Sequence, residues 1–532
     1  MNPLVRGTRG IAVAPHALAA QTAVDVLREG GNALEAMVAA AATIAVVYPH
    51  MNAIGGDGFW LVHVPGDAPR AIDACGAAAR SASIDYYRSR GFQAIPFRGG
   101  FAANTVAGTI SGWSLALELS REKLGGRMPL QRLLADAIGF ARDGITVTRS
   151  QSETTRAKVE GLRGQPGFDQ TFLVEGAPPE PGTRFCNARL AATLEQLARA
   201  GLDDFYRGDL ARSLAGELAS AASPLALQDL EAHHAAWRTP VALAHSRGTV
   251  YNTPPPTQGA ISLLILGILD RLRVEDVDPH GADYVHLCVE AVKQAFAVRD
   301  RCITDPAYMR SEAQMLLAPE AIAPLAASVH RARAAPWPRA GAEGDTIWMG
   351  VIDGAGRAVS FIQSLYHEYG SGIVLAESGV NWQNRGCSFS LDEGALNVLR
   401  PGRKPFHTLN PAFAQLRDGR MLVYGTMGGD GQPQTQSALF TRTILFGMDP
   451  ASAVAAPRWL LGRTWGQTSD TLKLESRFPE SVFDSLAAMG HVVERVGDYD
   501  AVVGHAGALL RGADGSLEGG SDPRSDGGVA VS

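Results

Sequence analysis

The sequence predicts one α/β unit rather than a string of domains, and three observations carry that expectation. First, residues 344–372 read as a β-hairpin: apolar residues fill Ile347 to Ile352 and Ala358 to Leu365, and Asp353-Gly354-Ala355-Gly356 supplies the positive-φ positions of a tight turn. Second, residues 15–49 read as two helices, and a glycine turn at Gly55, Gly56 and Gly58 then feeds a strand over residues 59–64. Third, a length of 532 residues suggests roughly three or four domains, yet no Ser/Gly-rich linker, charge run or low-complexity stretch divides the chain. Apolar patterning continues from end to end.

Taken in order, the N-terminus carries Arg6 and Arg9, but the apolar stretch after them is broken by Pro15 and His16 and is too short for a signal peptide. Gly30, Gly31 and Asn32 give C-cap and then N-cap chemistry between the first two helices. The run from Ala36 to Val47 is shorter than the roughly 18 residues of a membrane span and suits a buried helix. A soluble, cytoplasmic protein without a membrane partner is the expectation. The glycines at 55, 56 and 58 precede a strand, so they offer no helix N-terminus to a phosphate.

Residues 125–147 form an amphipathic helix that Asp143 and Gly144 close by capping. His286 and Arg299, on a later helical stretch, are expected to serve packing and ion pairing. The Ala/Pro/Arg-rich segment Ala323–Gly341 is expected to be mobile. A net charge of −6, spread without blocks, leaves no basic footprint for nucleic acid. Five cysteines show neither CxxC nor metal spacing, so they read as reduced thiols, and neither metal nor cofactor is expected.

A hairpin symmetric about Ala355 sets Ser364 opposite Thr346, pairing two hydroxyls near its open end. Residues around this pair carry a wider resemblance: Asp345-Thr346, then DGAGRAVS from Asp353 to Ser360, YGSGIV from Tyr369 to Val374, AGTISGW from Ala107 to Trp113, PPPTQGA from Pro254 to Ala260, and YGTMGGDGQPQTQ from Tyr424 to Gln436. Over nearly its whole length the chain resembles the γ-glutamyltransferase family of N-terminal-nucleophile hydrolases. That resemblance implies a four-layer αββα sandwich assembled from a proenzyme that cuts itself between Asp345 and Thr346. The products would be a large subunit, 1–345, and a small subunit, 346–532; whether such pairs dimerise stays open.

The family commonly has Thr-Thr-His at the cut, whereas this chain has Thr346-Ile347-Trp348 and keeps only the nucleophile. An N-terminal Thr is self-sufficient: it has a hydroxyl, and its α-amine, with an ordinary pKa of about 7.7–8.0, is the general base. The resemblance makes Ser364 the hydroxyl that bonds and tunes the nucleophile, and Gly428 and Gly429 the oxyanion donors. GGSDPRSDGGVA at 519–530 resembles the family's closing segment, in which Asp522 and Arg524 read as a structural ion pair.

Departures from the family pattern bear on the substrate. Where γ-glutamyltransferases place an Arg after A-I-D stands Cys75; Tyr366 replaces an Asn, Arg385 a Gln, Ser388 an Asp, and His407 and Thr408 a serine pair. An acid to pair a substrate α-ammonium is therefore missing, and a cation, Arg385, is gained. The pocket so changed suits a short amide bearing a carboxylate and is similar to the oxamate amidohydrolase branch of the family, which converts oxamate to oxalate and ammonia in purine-derived nitrogen use. A cephalosporin-acylase-like amide hydrolase, a true γ-glutamyltransferase and an uncleaved binding protein stay open as alternatives.

Overall fold

In a computed structural model of the chain, residues 3–337, 345–463 and 469–532 are described. The hairpin forms from Asp345–Asp353 and Ala358–Tyr366. Of its two turn glycines only Gly356 has positive φ, at 80°. The turn is held instead by Asp353, whose Oδ1 accepts the N–H groups of Ala355 and Arg357 at 3.0 Å each.

This hairpin sits inside a seven-stranded sheet in the order Gly528–Val531, Gly10–Ala14, Asp345–Asp353, Ala358–Tyr366, Asp57–His63, Arg70–Ala74, Ala236–Arg238. A second seven-stranded sheet runs Val5–Gly7, Leu517–Ser521, Ala506–Arg511, Met421–Thr426, Ala412–Leu416, Gly248–Asn252, Val241–His245. Every pairing in both sheets is antiparallel.

Side-chain alternation explains why the strands read as unbroken apolar runs. On the strand Asp345–Asp353, Ile347, Met349 and Val351 join one apolar cluster with the helices Ala17–Arg28, Ala33–Val47 and Leu130–Asp143. Their neighbours Trp348 and Ile352 point the other way, into a cluster shared with Phe413, Val423 and Leu509 of the second sheet. That sheet turns Ala412, Ala414, Leu422 and Tyr424 outward against the helices Gly259–Arg271 and Ala282–Cys302. Both faces of central strands such as Ala358–Tyr366 and Met421–Thr426 are covered, so neither face needs polar residues.

Ala33–Val47 is a wholly buried helix, and Asn32 caps it in a capping box with Glu35. Among the described residues no helix is long and apolar enough to cross a membrane. Gly144 closes the helix Leu130–Asp143 with φ 91°. Asp522 and Arg524 form their ion pair at 3.0 Å, within a buried quartet that adds Arg458 and Glu475.

The expected mobile segment is a correction over its described part. Pro319–Ala327 is helical. Beyond it, the Ala334 N–H donates to Met489 O at 2.8 Å, the Ala335 N–H to Glu290 Oε2 at 3.0 Å, and Lys293 Nζ to Ala335 O at 2.7 Å. A buried Glu290–Lys293 pair on the helix Ala282–Cys302 thus grips a backbone whose composition alone reads as loose. Residues 338–341 of that segment lie outside the described residues.

Candidate active site

The site is built at the open end of the hairpin. Facing residues follow the symmetric register from Ile347↔Gln363 to Ile352↔Ala358, and a bulge then shifts it so that Asp345 faces Tyr366. Thr346 falls in the bulge, fully buried, where the register would have set it opposite Ser364. Ser364 is buried and pairs with Asp57 of the neighbouring strand. The glycine turn closes on the same point. A Cβ on Gly56 would lie 2.2 Å from Ser364 O, and one on Gly55 2.2 Å from Asn381 O, so only glycines let this turn seat against the end of the hairpin.

Tyr366 follows with φ 85°, a left-handed conformation costly for a bulky residue. Its N–H donates to Ser364 Oγ at 2.8 Å. Over its ring, 3.7 Å from the centroid, lies the Arg385 guanidinium. Arg385 is 1% exposed. Its Nη2 donates to Thr408 Oγ1 at 3.2 Å and its Nη1 to Phe406 O at 3.4 Å, while Nε makes no hydrogen bond among the described residues. No carboxylate of the described residues lies within salt-bridge distance of it, and burial lowers its pKa. A desolvated cation whose hydrogen-bond partners among the described residues are neutral oxygens has the chemistry to receive an anion.

Beneath it sits a residue the sequence reading passed over. Asp57 is completely buried. Its Oδ1 accepts three bonds: Gly76 N–H at 3.0 Å, Gly108 N–H at 3.1 Å and Gln383 Nε2 at 3.1 Å. Its Oδ2 lies 3.1 Å from His407 Nε2. Burial pushes the Asp57 carboxyl up to about 7, against the pull of its donors and of Arg385. Burial, with Arg385 and Lys404 nearby, holds the His407 imidazole well below its ordinary value, so the ring is neutral. Cys75 packs beside them, its thiol pushed up by burial and by Asp57.

Asp57, Cys75 and His407 bring three potential ligand atoms within 4.8 Å of one another, a grouping no local spacing could reveal. The fixed charge of Arg385 beside them makes this a poor cradle for a second cation. The one signal that could have found Asp57 was a carboxylate inside a glycine turn at the head of an otherwise apolar strand.

Gly428 and Gly429 follow the strand Met421–Thr426 with φ 117° and 52°, and the helix Gly431–Phe440 starts two residues later. The N-terminus of that helix adds positive potential beside these two glycines. Gln258 Nε2 bridges this loop to the pocket, donating to Gly429 O at 3.1 Å and Thr408 O at 2.9 Å. Arg299 holds Gln258 Oε1 at 3.1 Å and pairs with Asp430 at 2.7 Å, an ion-pairing role that also fixes the loop. Ser388 ends the turn Arg385–Ser388 half-buried, and its Oγ makes no hydrogen bond among the described residues.

A gamma-glutamyltranspeptidase family model matches residues 19–532. The chain is 57% identical over 523 residues to the oxamate amidohydrolase proenzyme of Klebsiella pneumoniae subsp. pneumoniae, covering 98% of each. To the glutathione hydrolase-like YwrD proenzyme of Bacillus subtilis it is 40% identical over 528 residues, covering 99% of each. Among solved structures it is similar to a cephalosporin acylase from Bacillus halodurans, with a TM-score of 0.90 and 31% identity over 100% of this chain and 97% of that one.

Proposed function

Because the chain belongs to the gamma-glutamyltranspeptidase family, we propose that it is a self-cleaving N-terminal-threonine amidohydrolase whose substrate is a short amide bearing a carboxylate, oxamate foremost. The observation that carries the substrate is Arg385, buried on the Tyr366 ring with Thr408 and Phe406 oxygens as its only hydrogen-bond partners among the described residues. The 57% identity to an oxamate amidohydrolase proenzyme points the same way.

In this reading Thr346 Oγ attacks the Asp345 carbonyl, the acyl group shifts from N to O, and water hydrolyses the ester to leave subunits 1–345 and 346–532. Together they make the layers helix, sheet, sheet, helix. The freed α-amine then takes the hydroxyl proton as Oγ attacks the amide carbon of oxamate. N–H groups of Gly428 and Gly429 hold the oxyanion, Ser364 orients the nucleophile, and Arg385 with Tyr366, His407 and Thr408 holds the carboxylate. The amine returns its proton to the departing nitrogen, which leaves as ammonia. Water attacks the oxalyl ester and releases oxalate.

One experiment tests both halves. Freshly purified protein is weighed by intact mass and assayed for ammonia from oxamate and for glutamate from glutathione. Expected are two fragments divided before Thr346 and a clear preference for oxamate. An uncut chain as active as the wild type when Thr346 is Ala refutes the nucleophile; faster turnover of glutathione refutes the substrate.

A further inference from the structure

We infer that Asp57 sets which ring nitrogen of His407 carries the proton, and that binding of an anionic substrate at Arg385 draws one proton onto Asp57. The inference deepens the substrate reading above and in its second half rests on it.

The geometry leaves the proton of Asp57 one place to sit. Three donors converge on Oδ1, which must stay an acceptor, so a proton on this carboxyl belongs to Oδ2, the oxygen 3.1 Å from His407 Nε2. When Asp57 is ionised, His407 Nε2–H donates to Oδ2 and Nδ1 is a bare acceptor. When Asp57 is protonated, Oδ2–H donates to Nε2 and the ring hydrogen moves to Nδ1. The ring is 1% exposed, and Nδ1 has no hydrogen-bond partner among the described residues. One proton therefore removes a buried negative charge and turns Nδ1 from acceptor to donor.

Substrate enters through charge. Around Asp57 stand Arg385 from its turn, Cys75 and beyond it Asp73 from the strand Arg70–Ala74, Lys404 and His407 from the loop before Ala412, and Tyr206 from the helix Asp204–Arg207. Among these Arg385 is the cation whose charge opposes protonation of Asp57. A carboxylate seated on Arg385 cancels that field and adds a like charge, so both changes favour the protonated carboxyl. With the free carboxyl titrating at about 7, anion binding above that pH takes up a proton.

Two measurements separate this device from the substrate assignment. The first needs no substrate: ring-¹⁵N NMR of histidine-labelled enzyme from roughly pH 5.5 to 8.5, with His407 identified by its loss in His407→Gln. Wild type should pass from the Nδ1–H to the Nε2–H form with a midpoint near 7. Asp57→Asn should stay Nδ1–H throughout, since its carbonyl takes the three donors and its amide donates to Nε2. A single His407 tautomer across the range in wild type overturns the switch, and this titration decides even where Asp57→Asn does not fold.

The second is KM for oxamate, expected to rise about tenfold per pH unit above 7 in wild type and to stay flat in Asp57→Asn. The acid limb set by the Thr346 amine should persist in kcat for both. A flat wild-type KM overturns the coupling. A tautomer switch in an enzyme that turns over no carboxylate-bearing amide upholds the device and refutes the substrate reading instead.

Discussion

Replacing Arg385 by Gln separates an anchor for substrate from a brace for the fold, because the two roles leave opposite traces. In the free protein the guanidinium is 1% exposed and, among the described residues, bonded only to neutral oxygens at 3.2 and 3.4 Å, with the Tyr366 ring at 3.7 Å. Those bonds are long and the stack contributes about 1–2 kcal/mol, while removing a desolvated charge recovers a comparable amount. Stability should therefore shift by no more than about 1 kcal/mol. With substrate bound, the same change strands a buried carboxylate, which costs about 2–4 kcal/mol, or about 30- to 1,000-fold in kcat/KM. Steady-state ammonia release from oxamate reads the second quantity, and thermal unfolding of the same samples reads the first. Self-cleavage, followed by denaturing electrophoresis, should proceed. A wild-type kcat/KM in Arg385→Gln would refute the reasoning, as would an equal loss on an uncharged amide of the same size.

Gly428 and Gly429 occupy left-handed backbone, and a Cβ on Gly428 would meet nothing closer than 3.5 Å, so the penalty of Val there is conformational rather than steric. Either Gly→Val change should lower turnover by about 10²- to 10³-fold while the fold survives, and wild-type rates in both would move the oxyanion donors elsewhere. Asp57 makes a prediction about stability. Its folded value of about 7 stands above the ordinary 3.8, so its contribution is fully present below about pH 4, declines as pH rises to about 7, and is level above that. Melting temperatures of Asp57→Asn should gain on wild type across that window and then run parallel; parallel curves throughout would mean that the carboxyl is not raised.

Much of the frame was legible because it follows from burial. The hairpin announced itself through two apolar runs, each continuous because Ile347, Met349 and Val351 face helices while Trp348 and Ile352 face the second sheet. Asn32 and Glu35 are three apart in the sequence, so the start of Ala33–Val47 could be read locally. Arg385, Tyr366, His407 and Thr408 were found as departures from a family pattern, and the structure gathers them around one guanidinium. Asp57 escaped because its chemistry lies in its partners. Gly76, Gly108, Gln383 and His407 come from four segments, and nothing beside Asp57 in the chain hints that they converge. The segment 323–341 was misjudged for a similar reason: composition says nothing of a buried Glu290–Lys293 pair reaching its backbone.

Tyr366 ties the surroundings of Arg385 to those of Thr346. A tyrosine at φ 85° costs about 1–3 kcal/mol and persists only where its surroundings hold it. Among its surroundings, Ser364 Oγ accepts its N–H and Arg385 stacks on its ring. A hydroxyl has one proton and two lone pairs, so accepting from Tyr366 commits one lone pair of Ser364 and turns its own O–H away from that bond. The same turn of chain that lays the aromatic ring under the guanidinium therefore orients the hydroxyl nearest in register to Thr346. A residue such as Asn, at home in left-handed backbone, would keep the hydroxyl's orientation and lose the stacked face. With Tyr366 the strain is carried by contacts that also hold the Arg385 guanidinium, so under the proposed function the choice of a short anionic substrate is coupled to the geometry of Thr346.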